Sequence, residues 1–149
     1  MALVDLIRPE VVKVPLAGKT KNEVIRELVQ VLLDAGRITE LESVYDALLT
    51  REALGSTGLE QGVAVPHAKT RAVRQLTAAI GIAPQGVDFQ SADGEPSKLF
   101  FLLLAPPDQS GPHIQALAEI ARLARSPTFL RLLTEASSGR EVAELIREG

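Results

Sequence analysis

Cysteine is absent from the 149-residue chain. That removes disulfides, thiolate zinc sites and iron–sulfur clusters at once, and it fits a reducing compartment. Tryptophan is also absent and aromatics make up only 3%, so stacking platforms for single-stranded bases are poorly supplied. Neither charge sign dominates: 16 Lys and Arg stand against 19 Asp and Glu. A net charge of −3 offers no general attraction to phosphate backbones or anionic lipid, so nucleic acid is not an expected partner. Long apolar runs are missing too. The longest, Leu99 to Pro107, is far short of the roughly 20 residues of a membrane-spanning helix, and no membrane insertion is expected. The start, M-A-L-V-D-L-I-R-P-E, breaks its apolar run at Asp5 and lacks the basic opening of a secretion signal. The expected location is the cytoplasm.

What is present is a chain 46% hydrophobic, long enough to bury a core, and read as one domain over 1–149. After a helical turn at Leu3 to Ile7, Val11 to Val14 read as a strand ended by Pro15. Two helices follow. Thr20 with Glu23 forms a capping box ahead of Val24, Leu28, Val31 and Leu32, and Gly36 closes that helix. Thr39 with Glu42 repeats the pattern for a helix ending at Gly55, with Arg51 in its last turn. The run Val63 to Val65 reads as a buried strand stopped by Pro66, which leaves His67 exposed at its end.

Leu76 to Ala83 reads as a further strand whose small residues suit close packing, with Pro84 and Gly86 turning the chain after it. A turn at Asp93-Gly94 leads into Leu99 to Leu104, an unbroken apolar run suited to a central strand covered on both faces. Three helices complete the chain. The first begins at Gly111-Pro112, holds His113 in its first turn and turns Ile114, Leu117, Ala118, Ala121 and Ala124 inward; the others start at Ser126-Pro127 and at Ser138 with Glu141. Strands framed by helices, without strict alternation, predict an α+β domain of three layers, α/β/α, around a mixed sheet.

Only two histidines occur, and both sit where an imidazole can meet phosphate. An ordinary imidazole, with a pKa of about 6.5, is largely neutral near pH 7 and is a competent nucleophile toward phosphorus. His67 lies beyond a loop rich in small residues, where Gly58 and Gly62 would let backbone N–H groups approach a phosphoryl group. The plain alternative is a histidine that merely caps a strand. His113, at a helix start, can stay neutral and donate to an anion, or it is only a solvent-facing helix start. Arg51 offers a planar fork for phosphoryl oxygens, or simply a cation at a helix C-terminus; Lys69 reads as a solvated charge.

Other chemistries are set aside. Gly18-Lys19-Thr20 lacks the earlier glycine of a P-loop, because that position is Lys13. No G-x-S-x-G is present, and the aspartates form no close metal-binding run. A metal held by the two histidines stays open at this point.

Two longer motifs narrow the reading. R-E-A-L-G-S-T-G-L-E-Q-G-V-A-V-P-H from Arg51 to His67, with L-L-L-A-P-P-D-Q-S-G-P-H from Leu102 to His113, resembles the IIA domains of the fructose/mannitol class of the bacterial phosphoenolpyruvate-dependent phosphotransferase system. The resemblance covers almost the whole chain. It implies a mixed sheet between helical layers and a cytoplasmic phosphotransferase component using no metal and no cofactor. It further implies that His67 accepts the phosphoryl group from an HPr-type carrier, that His113 supports that group, and that Arg51 contacts it or a partner. In sugar-transporting members the group passes on to a IIB domain. Nitrogen-type members instead use their phosphorylation state to control what they bind, and the short chain with no fused partner looks more like these. A third reading is a docking domain that is never phosphorylated. One difference is Ala68, where many members carry Gly; a left-handed backbone there would strain alanine.

Overall fold

The computed structural model describes residues 3–148. Strand β5 (Ser97–Ala105) is its axis, with β4 (Thr77–Val87) antiparallel on one side and β2 (Val63–Ala64) and β3 (His67–Lys69) parallel on the other. Strand β1 (Val12–Lys13) completes the sheet, parallel to β4. The sheet is therefore mixed, as expected.

The alternation of β5 explains why its sequence is apolar without a break. Leu99, Phe101, Leu103 and Ala105 pack beneath α4 (Ser110–Leu123), α5 (Pro127–Thr134) and α6 (Gly139–Glu148), while Phe100, Leu102 and Leu104 pack beneath α2 (Lys21–Asp34) and α3 (Leu41–Ala53). Successive side chains of a strand point to opposite faces, so a strand covered twice needs apolar residues at every position. Strand β4 divides its sizes between the same faces. Ile80 and Ile82 face α4–α6, whereas Ala79, Gly81 and Ala83 lie toward α2, and a β-carbon on Gly81 would come within 2.7 to 2.9 Å of Leu16 and Leu28. Small residues there let α2 sit close. A four-residue helix α1 (Leu3–Leu6) packs on the α6 side.

Most helix starts follow local chemistry. Thr20 accepts from the Glu23 N–H at 3.2 Å while the Glu23 carboxylate accepts from the Lys19 N–H, a capping box displaced by one residue. Gly36, at φ 73°, closes α2 through bonds from its own N–H to Leu33 and from Arg37 to Leu32. Ser126 and Ser138 cap as expected, accepting from Phe129 and Glu141.

Several expectations need correction. Thr39 does not cap α3: it lies in a bend after the buried Ile38, and the cap position falls one residue later on the extended Glu40, with no side-chain bond. Pro66 does not end the pairing. Its carbonyl still accepts from Leu103 at 3.0 Å, so the chain keeps its course along β5 and His67 opens β3 instead of standing past a strand end. Pro84 and Gly86 do not turn the chain either; β4 runs on to Val87, and the missing proline N–H falls in an irregular stretch between Ile82 and Val87. The inward face of α4 is displaced by one residue, to His113, Ala116 and Ile120, and Ile114 is 66% exposed. Ala68 is a strand residue paired with Leu104, outside the positive-φ positions, so it carries no strain. No described helix is long and apolar enough to cross a membrane.

Candidate active site

Beside β3, at the sheet edge, residues of α3 and α4 border a cleft of about 370 Å³. Ala47, Thr50, Arg51 and Leu54 of the α3 end, His67, Ala68 and Lys69 of β3, and His113 of α4 line it. His67, His113 and Arg51, far apart in sequence, are thus brought together. A larger concavity, about 1020 Å³, lies between residues 36–43 and 70–77 and contains neither histidine.

The His67 ring is half-buried and its Nδ1 lies 2.7 Å from the Val65 carbonyl oxygen. A carbonyl can only accept, so Nδ1 carries the proton and donates it. In the neutral ring the free lone pair is then on Nε2. Backbone geometry two residues away sets which ring nitrogen keeps its lone pair free.

His113 stands against it, with ring centroids 5.3 Å apart and planes at 75°. It is only 6% exposed, and its Nε2 has no hydrogen-bond partner among the described residues. Burial, followed by the nearby His67 and Lys69, holds its pKa below the ordinary histidine value. A neutral imidazole with an unspent ring nitrogen is what results.

Arg51 donates from Nη1 to the Gly55 carbonyl at 3.0 Å, which closes the last turn of α3 and keeps the guanidinium at the cleft. Lys69, read from the sequence as a solvated charge, bonds Ser110 at 3.1 Å and ties the end of β3 to the start of the His113 helix. The glycines act elsewhere. The Gly58 N–H is held by Ser56, the Gly62 carbonyl accepts from Lys98 and Leu99, and neither residue lines the cleft, while both pack closely against residues 89–98. Among the described residues no three His, Asp or Glu side chains gather as metal ligands would.

Sequence reasoning missed two contributors. The Val65 carbonyl carries no side-chain signal at all. Leu54, 82% exposed beside Arg51, belongs to the cleft, and an apolar residue just past a helix end was its only cue.

Residues 5–149 match the family model described as "Phosphoenolpyruvate-dependent sugar phosphotransferase system, EIIA 2". The chain is 33% identical over 148 residues to a fructose-specific EIIABC component of Bacillus subtilis, matching 99% of this chain but only 23% of that longer protein. It is 32% identical to a nitrogen regulatory protein of Bradyrhizobium diazoefficiens, over 98% of this chain and 95% of the relative. Its fold matches the crystal structure of nitrogen regulatory protein IIA-Ntr from Neisseria meningitidis with a TM-score of 0.88 at 29% identity, covering 97% of this chain and 98% of that one.

Proposed function

The chain belongs to the EIIA 2 family of the phosphoenolpyruvate-dependent sugar phosphotransferase system, and from that premise we propose that it is a cytoplasmic relay whose phosphoryl acceptor is Nε2 of His67. The observation that carries this reading is the Nδ1 bond to Val65, which leaves Nε2 as the one basic ring nitrogen, beside a second histidine with an unspent nitrogen of its own.

The transfer balances without moving a proton. A partner's phosphohistidine in its imidazolium form loses phosphorus and departs as a neutral imidazole. As that P–N bond breaks, the Nε2 lone pair of His67 forms the new one, and the His67 ring becomes the cation, its Nδ1–H still donating to the Val65 carbonyl. The hydrogen bond to Val65 strengthens as this charge develops. His113, kept neutral by burial, donates from Nε2 to a phosphoryl oxygen, and Arg51 has donors beyond the one spent on Gly55. The donor is an HPr-type carrier.

Regulation is one outcome of the relay and delivery to a sugar-specific partner the other, since relatives named nitrogen regulatory protein and fructose-specific EIIA component both match over most of their own length. Leu54, at the cleft, and Ile114, next to His113 in sequence, are 82% and 66% exposed and offer apolar contacts to a partner, while the phosphoryl oxygens bring close to two negative charges against the single positive charge of the ring, a net gain of about one.

Intact-mass analysis after incubation with phosphoenolpyruvate, enzyme I and an HPr-type carrier tests the assignment. Wild type gains one phosphoryl group and His67→Ala gains none. Uptake by His67→Ala at the wild-type rate would remove the proposal.

A further inference from the structure

Two charged residues stand where the helix dipole disfavours them. Lys21 is the first residue of α2, at the positive end, and Glu52 is in the last turn of α3, at the negative end. Their tertiary positions explain both. The Lys21 ammonium reaches the Glu52 carboxylate at 2.8 Å and lies 4.8 Å over the Phe89 ring, with side-chain exposures of only 15% for Lys21 and 5% for Glu52. Sequence rules broken in pairs at a site indicate that something else has been specified.

What Glu52 holds is Thr57. Its carboxylate accepts from the Thr57 N–H at 3.1 and 3.2 Å and from the Thr57 hydroxyl. Thr57 in turn accepts at its carbonyl from the Val65 N–H at 3.0 Å. The Val65 carbonyl is the acceptor for His67 Nδ1. An unbroken chain of hydrogen bonds therefore runs Lys21, Glu52, Thr57, Val65, His67.

We propose that Glu52 is a positioning residue that fixes the His67 tautomer: by clamping Thr57 with both carboxylate oxygens it holds the Val65 backbone where only a protonated Nδ1 fits. It touches no reacting atom. The geometry favours this over a plain ion pair between helices, because Lys21 alone would satisfy one carboxylate oxygen, whereas both oxygens are turned onto the residue that anchors Val65. The consequence for transfer rests on His67 being the acceptor, but the tautomer itself can be read without phosphorylation.

The test uses the full chain with 15N-labelled histidine at pH 8, where long-range 1H–15N spectra report which ring nitrogen bears the proton. Wild-type His67 is expected as the Nδ1–H form. In Glu52→Gln the neutral amide cannot reproduce the clamp, and the ratio of Nδ1–H to Nε2–H is expected to fall about tenfold, the factor corresponding to ~1.4 kcal/mol. Thr57→Val should move it in the same direction, and Thr57→Ser, which keeps the hydroxyl, should restore it. Leu133→Ala, buried under the opposite face of the sheet, supplies a destabilised control with no contact to the chain of bonds. An unchanged tautomer in a folded Glu52→Gln, or in Thr57→Val should the first variant not fold, would overturn the proposal. So would an equal change in Leu133→Ala. A wild type that takes up no phosphoryl group would defeat the relay reading, while the tautomer comparison alone decides the role of Glu52.

Discussion

Replacing His113 with leucine should separate stability from function, in opposite directions. The side chain is 6% exposed on the inward face of α4 with Ala116 and Ile120, and no described group partners its Nε2. An unsatisfied buried polar group costs about 1–3 kcal/mol, and an apolar replacement of similar bulk with imperfect shape loses up to about 1.5 kcal/mol. The balance for His113→Leu is a gain of about 1 kcal/mol, or roughly 2–4 °C in Tm for a chain of this size. Transfer should move the other way. Loss of one preorganised donor to the charge developing on a phosphoryl group costs roughly 10² to 10³ in rate. Urea unfolding at pH 8, where both states of the imidazole are neutral, reads the first effect; single-turnover phosphorylation by a phosphorylated HPr-type carrier, followed by intact mass, reads the second. A His113→Leu variant destabilised by more than about 1 kcal/mol would show that Nε2 is satisfied in the folded protein. Transfer within about threefold of wild type would remove the donor role, since that factor is under ~1 kcal/mol.

Two further predictions concern titration. Because the folded His113 pKa is held below the ordinary 6.5, the unfolded chain binds the proton first on acidification; the folded state is therefore favoured fully above about pH 6.5 and loses stability as pH falls through the window between the two values. Subtracting the urea-derived stability of His113→Leu from that of wild type between pH 8 and 5 should expose that loss, and a flat difference would refute it. Glu27 behaves in the reverse sense: burial pushes its pKa up, but the Lys13 ion pair at 2.7 Å with N–H bonds from Ala17 and Gly18 outweigh it, and the net value is lowered. Its contribution is present above about pH 4.5 and lost below, so Glu27→Gln should cost about 2 kcal/mol at pH 7 and progressively less in acid, measured by the same urea unfolding.

How far the sequence could be read follows from whether a signal was apolar and periodic or polar and distant. The period-two filling of β5 and the caps at Thr20, Ser126 and Ser138 depend on neighbouring residues, and all were legible. The phase of α4 was not. Its apolar residues suggested a stripe through Ile114, whereas the fold spends an inward position on His113 and turns Ile114 to the surface, a rotation of one residue. Hydropathy alone cannot assign a polar side chain to a buried face, and the same inversion puts an imidazole against His67 and an apolar group on the surface beside it in sequence.

Pro66 shows the second kind of failure. Read locally, it should stop a strand, because it brings no N–H; read in the sheet, the ladder needs only its carbonyl, which Leu103 uses. The chain therefore keeps its course along β5 from β2 into β3, and His67 gains a backbone held on one side by β5 and on the other by Thr57 through Val65. A histidine on a free loop would exchange its two tautomers and present either nitrogen. Held in this way it presents one. On the proposed reading, the motif from Arg51 to His67 thus contains more than an acceptor histidine and a cation: its glutamate, threonine and second valine form the support behind the His67 ring.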